Sequence, residues 1–344
     1  MTDKIDENCK LDANESPFSL PQKVQNKIER EIKDFEFNRY PDSNATELKK
    51  RLAKYTGLSS DKLLIGNGSD ELLLMIMTAF LAPDKKAVIS KPTFGMYEFY
   101  ADLIGNGSYN LSLKSDFSPN WQEIKKYANK NDTSLIVFCS PNNPTGKDVD
   151  EEKLEEFIKN TDKYILLDEA YYEFSGKTLI ELINKYDNLI LTRTFSKAFA
   201  IASLRIGYLA ANKKIIEKLE EVRSIYNSDS FSQKTASLIL DDINLFEKQW
   251  KLIRKNRDEL FGELKDIKGV TPYSSKANFI LFNTGIEEKS VYKRLKKRGI
   301  KIRFLKNLRI LGDSLRVTVG SKEENSKFLS NLKEILSPRK EVAK

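Results

Sequence analysis

Short apolar runs alternate with amphipathic ones through the first two thirds of the chain. The runs "KAVIS" (86–90), "SLIVFCS" (134–140), "YILLD" (164–168), "NLILT" (188–192) and "IGYLAA" (206–211) read as strands. Between them "DEEKLEEFIKN" (150–160) and "KTLIELINKY" (177–186) read as helices. Near-continuous apolar strands alternating with helices predict an α/β fold, a mostly parallel sheet covered on both faces.

Two helices precede this rhythm. In "NATELKKRLAKYTG" (44–57) Ala45, Leu48, Leu52 and Tyr55 form one apolar face. Asn44 is its expected cap, Glu47 closes a capping-box-like pair, and Gly57 ends it. "DELLLMIMTAFLAP" (70–83) is apolar nearly all round, which predicts a buried helix. After about residue 245 the rhythm changes. A long helix, "NLFEKQWKLIRKNRDELFGELK" (244–265), carries Phe246, Trp250, Ile253, Phe261 and Leu264 on one stripe. Strand "ANFILF" (277–282), a helix at 290–299, strands "IKIRF" (300–304) and "SLRVTVG" (314–320) and a last helix (323–336) follow. The last helix begins with a Ser321 and Glu324 capping box, and the tail "SPRKEVAK" (337–344) is expected to fray. The division expected is a large domain at 31–245 and a smaller α+β domain at 246–344.

Composition narrows the chemistry. The 344 residues suit about two domains. No apolar run reaches the roughly 20 residues that span a bilayer. The start, "MTDKIDENCKLDANES", is acidic and polar rather than a secretory signal, so a cytoplasmic location is expected. Net charge is +8, with basic residues interleaved with acids. The densest cluster, "KRLKKRGIKIR" (293–303), reads as a solvated helix end entering a strand, not a nucleic-acid patch. Cys9 and Cys139 are the only cysteines and there is no histidine. A zinc ligand set of Cys and His is therefore missing, and every Ser-His-Asp or Cys-His mechanism is excluded. A general base must be Lys, Asp, Glu, Tyr or Cys.

In an α/β sheet, chemistry gathers where the strands end. Four polar clusters follow apolar runs here: Gly66-Asn67-Gly68-Ser69-Asp70, "SPNNPTG" (140–146), "DEAYYEF" (168–174) and "TRTFSKAF" (192–199). Each alone reads as an ordinary turn; together they mark one edge. The glycines and the helix start near Ser69 make a seat for an anion such as phosphate. Thr194, Ser196 and Arg205 add donors. Asp168 ends an apolar strand, where a carboxylate needs a cation such as a protonated ring nitrogen. Asn143 and Tyr171 are neutral donors suited to a ring oxygen. Lys197 sits between Ser196 and Ala198 in an apolar, cation-rich stretch that depresses its pKa. Such a set describes a phosphorylated pyridine aldehyde held on a lysine.

"TFSKAFAIASLRIGY" (194–208) resembles the lysine signature of the fold-type I pyridoxal-phosphate aminotransferases, and "SPNNPTG" and "DEAYYEF" are similar to their companion motifs. The resemblance extends from "KLDANESPF" (10–18) through "RYPD" (39–42), "GNGSDELL" (66–73) and "PTFGMY" (92–97) to "LRVTVGSKEEN" (315–325). That series is most similar to the histidinol-phosphate aminotransferase family. It implies pyridoxal 5'-phosphate bound covalently to Lys197, with Asp168 on the ring nitrogen and Asn143 and Tyr171 on the ring oxygen. Ser196, Arg205, the amides of Ser69 and Asp70, and Thr194 would hold the phosphate. Phe94 stands where the family usually stacks a tyrosine on the ring.

The resemblance also implies a homodimer, in which Tyr40 reaches the cofactor phosphate of the partner subunit. Arg316, with Arg303, would bind the substrate's anion, and Asn14 belongs to an N-terminal segment (1–30) that folds over the site against the smaller domain. The reactants implied are a small-molecule amino donor, L-histidinol phosphate, and 2-oxoglutarate. An aromatic aminotransferase or a threonine-phosphate decarboxylase would share the cofactor residues. A non-catalytic regulator is disfavoured, because no DNA-binding segment precedes residue 10. The stretch "YNSDSFSQ" (226–233) lacks the proline usual in the family, which leaves its loop geometry open.

Overall fold

The protein is described by a computed structural model that covers residues 9–81 and 83–337. Most of the acidic N-terminus and, from residue 338 on, the tail expected to fray lie outside the described residues. Seven strands form the main sheet: β1 (Leu63–Gly66), β2 (Lys86–Lys91), β3 (Ser108–Ser112), β4 (Thr133–Cys139), β5 (Tyr164–Asp168), β6 (Leu189–Thr194) and β7 (Gly207–Ala211). Their order is β1-β7-β6-β5-β4-β2-β3. β7 runs antiparallel to both its neighbours and every other pair is parallel.

All five expected strands are present, and the reason they read as unbroken apolar runs is visible. Along β5, Ile165 and Leu167 join one buried cluster while Leu166 joins another on the opposite face. Helices cover both faces, so neither set of side chains meets water. The strand with no clear signal is β3, an edge strand whose sequence, SYNLS, has Leu111 as its one buried residue.

Local differences have local causes. The early helix spans Thr46–Thr56 and ends on Gly57 at φ 74°. Asn44 does not cap it: the Asp42 carboxylate accepts from the backbone N–H groups of Asn44 (2.9 Å) and Thr46 (2.7 Å). A carboxylate accepts two such bonds at once, where an amide offers one weaker oxygen. Glu47 pairs with Lys50 and Arg51 instead of closing a box. The helix expected at 177–186 is a short 3₁₀ turn, Ile180–Asn184. Its first turn is diverted, because Thr178 Oγ1 and the Leu179 amide donate to the buried Glu169 carboxylate at 2.7 and 2.8 Å. At 226–233, Asp229 replaces any need for proline by accepting from the Ser232 amide and capping the helix Ser230–Leu240.

A second, antiparallel sheet comprises β8 (Thr271–Pro272), β9 (Phe279–Asn283), β10 (Arg303–Leu308) and β11 (Gly312–Thr318) in the order β10-β11-β9-β8. The helix Lys322–Leu336 opens with the Ser321–Glu324 capping box. The long helix Ile243–Lys265 buries Phe246, Trp250, Ile253 and Leu264, with Phe261 partly covered. Its Trp250 indole donates to the Ala198 carbonyl at 2.7 Å, tying the helix to the loop that carries Lys197. Beside the smaller sheet, Cys9–Lys10 pairs in parallel with Ile300–Lys301 as a separate two-stranded sheet, and the Thr318 amide of β11 donates to the Leu11 carbonyl at 2.9 Å.

Candidate active site

The ends of β4, β5 and β6 open into a cavity of about 450 Å³. Among its lining are Lys197, Asp168, Asn143, Tyr171, Ser69, Asp70, Phe94, Thr194, Ser196, Arg205, Arg303, Arg316 and Asn14. Of the residues singled out in the sequence, Tyr40 alone is elsewhere. It is 79% exposed and stacked on Tyr226, with ring centroids 4.5 Å apart.

Asp168 is the last residue of β5 and is 3% exposed. Its carboxylate accepts from the Tyr97 hydroxyl at 2.6 Å and the Ala170 amide at 3.0 Å. Burial raises it to about 6, against the pull of these two donors, so it is mostly charged at neutral pH. Lys197 follows β6, and its ammonium donates to the Ala13 carbonyl at 2.8 Å. Burial, with Arg316 and Arg205 nearby, lowers it to about 8, far below an ordinary lysine. A lysine of lowered pKa holds a larger share of neutral amine, the form that acts as nucleophile and base.

Tyr171 lines the same cavity. Its hydroxyl receives Asn14 Nδ2 at 3.0 Å and Asn143 Nδ2 at 3.5 Å, and burial pushes it up to about 12. Asn143 Oδ1 in turn accepts from Arg316 Nη1 at 2.6 Å, while Arg316 Nη2 donates to the Asp12 carbonyl at 2.7 Å. Arg316 Nε is buried and has no partner within the fold. Arg303 faces Arg316 directly across the β10–β11 pair and is exposed at the cavity mouth.

At the other end, Arg205 donates to Ser196 Oγ at 3.2 Å and pairs with Asp70 at 2.9 Å. It lies over the first turn of the helix Gly68–Phe80. Gly68 has φ 74°, and a Cβ there would lie 2.7 Å from Arg205 Nη2. Only glycine lets the guanidinium close over that turn. The Thr194 hydroxyl oxygen accepts from the Ser196 amide at 3.1 Å. Phe94 presents its ring to the cavity and stands edge-on to Tyr97, 5.6 Å away.

Three features escaped the sequence reading. Tyr97 was visible only as the last letter of "PTFGMY", though a buried tyrosine must find a partner for its hydroxyl. The Ala13 carbonyl is backbone and leaves no mark in sequence. Arg193, in the same cationic stretch as Lys197, turns away from the cavity. It is 1% exposed, paired with Glu169 at 2.8 Å and stacked 3.5 Å over the Tyr172 ring.

The cavity suits the group that the resemblance implies. A buried carboxylate stands at one end, a lysine of lowered basicity beside it, and at the other end hydroxyls, a guanidinium and free amides surround a glycine cradle. That is the donor set a phosphorylated pyridine aldehyde needs.

Comparison with known proteins agrees. The family "Aminotransferase class I and II" matches over residues 6–332, and the chain belongs to it. The histidinol-phosphate aminotransferase of Caldanaerobacter subterraneus subsp. tengcongensis is 38% identical over 328 residues, 95% of this chain and 93% of the relative. Among solved structures, the histidinol-phosphate aminotransferase from Clostridium acetobutylicum superposes with a TM-score of 0.88 at 28% identity, covering 95% and 98% of the two chains. The Sinorhizobium meliloti histidinol-phosphate aminotransferase, solved in complex with pyridoxal-5'-phosphate, shares the fold, with a TM-score of 0.86 at 23% identity, covering 95% and 90%.

Proposed function

We propose that this aminotransferase uses pyridoxal 5'-phosphate to convert L-histidinol phosphate and 2-oxoglutarate into imidazole-acetol phosphate and L-glutamate. When bound, the cofactor supplies an aldehyde that takes up amino groups and a ring that draws electrons from the adjacent carbon. Asp168 would pair with the ring nitrogen and favour its protonated form. Asn143 and Tyr171 would hold the ring oxygen. Ser69, Asp70, Thr194, Ser196 and Arg205 would hold the phosphate, and Phe94 would pack on the ring. Lys197 would hold the aldehyde, and its neutral amine would serve as the base for the Cα proton.

The observation that carries the anionic character of both substrates is Arg316. Its guanidinium is buried at the cavity wall with an unspent Nε–H, beside the more exposed Arg303. Histidinol phosphate has no carboxylate, so its phosphate must use the anion site that the glutamate carboxylate takes in the second half-reaction. A fork of N–H groups serves both anions. The curated relative reported above, a histidinol-phosphate aminotransferase, supports the same amine.

Two further readings go with this one. Tyr40 and Tyr226 stack on each other while both stay exposed, as do Phe37 and Ile225 close by in sequence, and such exposed apolar surface suits a face buried against a second copy of the chain. In such a dimer, Tyr40 reaches the cofactor phosphate of the partner subunit. Among the described residues no helix is long and apolar enough to cross a membrane, and the reaction proposed belongs to the cytoplasm.

The experiment is a half-reaction. Cofactor-loaded protein is given one amine at a time without any oxo acid. Histidinol phosphate should remove the absorbance of the lysine-bound cofactor at concentrations where phenylalanine does not. Preferential bleaching by phenylalanine, or carbon dioxide released from phosphothreonine, would replace this substrate assignment.

A further inference from the structure

The cavity mouth has two apolar walls that come from different sheets. Phe94 and Met96, just past β2, make one; Leu305 and Leu308, on β10, make the other. Arg303 and Leu305 are two apart on the same strand, so one strand presents an anion site and then an apolar surface to the same cavity. The β10 wall rests on a small separate core. There Leu113 and Phe117, which follow β3, meet Leu281, Tyr273 and Leu311 of the smaller sheet together with Leu305 and Leu308.

The hairpin that carries this wall is irregular. Its ladder is broken between Leu305 and Leu308, and Asn307 and Ile310 have φ of 48° and 70°. Left-handed backbone at a β-branched residue is held only where its surroundings insist on it. Arg309 lies between these two residues. Its Nη1 donates to the Asn110 carbonyl on β3 at 2.9 Å and reaches the Ser112 hydroxyl at 3.4 Å. Asn110 Nδ2 donates to Glu98 at 2.7 Å, and Glu98 is paired with Lys91, the last residue of β2, close before Phe94. A continuous set of polar contacts thus runs round the outside of the cavity from one apolar wall to the other.

We propose that Arg309 is a positioning residue for the amino donor: by pinning the β10–β11 hairpin to edge strand β3 it fixes the gap between the Met96 and Leu308 walls, and so selects amines that carry a flat ring on the arm opposite the anionic group. The choice of histidinol phosphate as that amine rests on the function proposed above; the latch does not. A ring buries more apolar area between two such walls than the short chain of 2-oxoglutarate does. Loosening the hairpin therefore weakens the donor half-reaction selectively.

The test compares Arg309→Ala and Arg309→Lys with the unchanged enzyme, with KM measured separately for each substrate. Arg309→Ala should raise KM for histidinol phosphate about fivefold, as expected for one charge-assisted hydrogen bond at the surface. Both kcat and KM for 2-oxoglutarate should stay within about twofold. Arg309→Lys, which keeps a donor, should recover most of the loss. Unchanged donor KM in Arg309→Ala, or kcat and both KM values moving together, would overturn the proposal. If the unchanged enzyme does not accept histidinol phosphate, the function proposed above fails on its own, and hydrogen exchange of the holoenzyme over residues 303–312 decides the latch. Faster exchange there in Arg309→Ala supports it, and equal exchange rejects it.

Discussion

Tyr97 donates its hydroxyl to Asp168 at 2.6 Å, and the two side chains are buried together in the cavity lining. The contact holds a charged carboxylate where burial alone would neutralise it. Tyr97→Phe keeps the ring and removes the donor. Asp168 then loses part of its charge at neutral pH, and the cofactor loses part of its counter-ion. The expected result is a cofactor Kd about tenfold higher, the usual scale for a charge-assisted hydrogen bond in a dry site. Titration of apo-protein with cofactor measures it, and an unchanged Kd would remove Tyr97 from the site.

Gly68 and Arg205 share a single space. Alanine at position 68 must adopt φ near 74° and displace a guanidinium 2.7 Å from its Cβ. The backbone strain costs about 1–2 kcal/mol of stability. The larger effect falls on the phosphate seat: affinity for pyridoxal 5'-phosphate should drop at least about tenfold, while affinity for phosphate-free pyridoxal changes little. Equal losses for the two ligands would mean that Arg205 does not face the phosphate.

Glu173 is 3% exposed, and neither carboxylate oxygen has a hydrogen-bond partner. Its surroundings are Tyr55, Tyr172 and Tyr208, with Arg193 already committed to Glu169. Burial raises it from 4.5 to about 8. The folded protein therefore keeps a proton that the unfolded chain gives up, and stability falls as pH rises from 4.5 through about 8. Glu173→Gln cannot ionise and should be free of that loss. Urea unfolding should show the variant gaining on the unchanged protein by a few kcal/mol, on the order of 4, between about pH 5 and pH 9. A constant difference across that range would contradict the account.

The parts of this fold legible in sequence are those in which local pattern and burial agree. Ile165, Leu166 and Leu167 read as a strand because both faces of β5 are covered. Lys197, Asp168, Asn143 and Tyr171 stood out because each follows or closes such a run, Arg205 because it directly precedes one, and the structure gathers them in one cavity. What stayed hidden depends on partners far along the chain. The pattern at 177–186 is helical until Glu169 draws off its first turn. Asn44 is a reasonable cap until Asp42, two residues earlier, takes both amides. Tyr97 meets Asp168 across 71 residues. Arg193 and Lys197 are near neighbours in sequence, yet one is sealed beneath Tyr172 and the other opens to the cavity.

The central claim is a covalent bond between one lysine and the cofactor aldehyde. Lys197 is lowered to about 8 and lines the cavity among Asp168, Tyr171 and Arg316. Holoenzyme treated with borohydride and then digested should carry a phosphopyridoxyl group on the peptide containing residue 197, and Lys197→Ala should carry none. A label on any other lysine, or none on the unchanged protein, would contradict the assignment of this site.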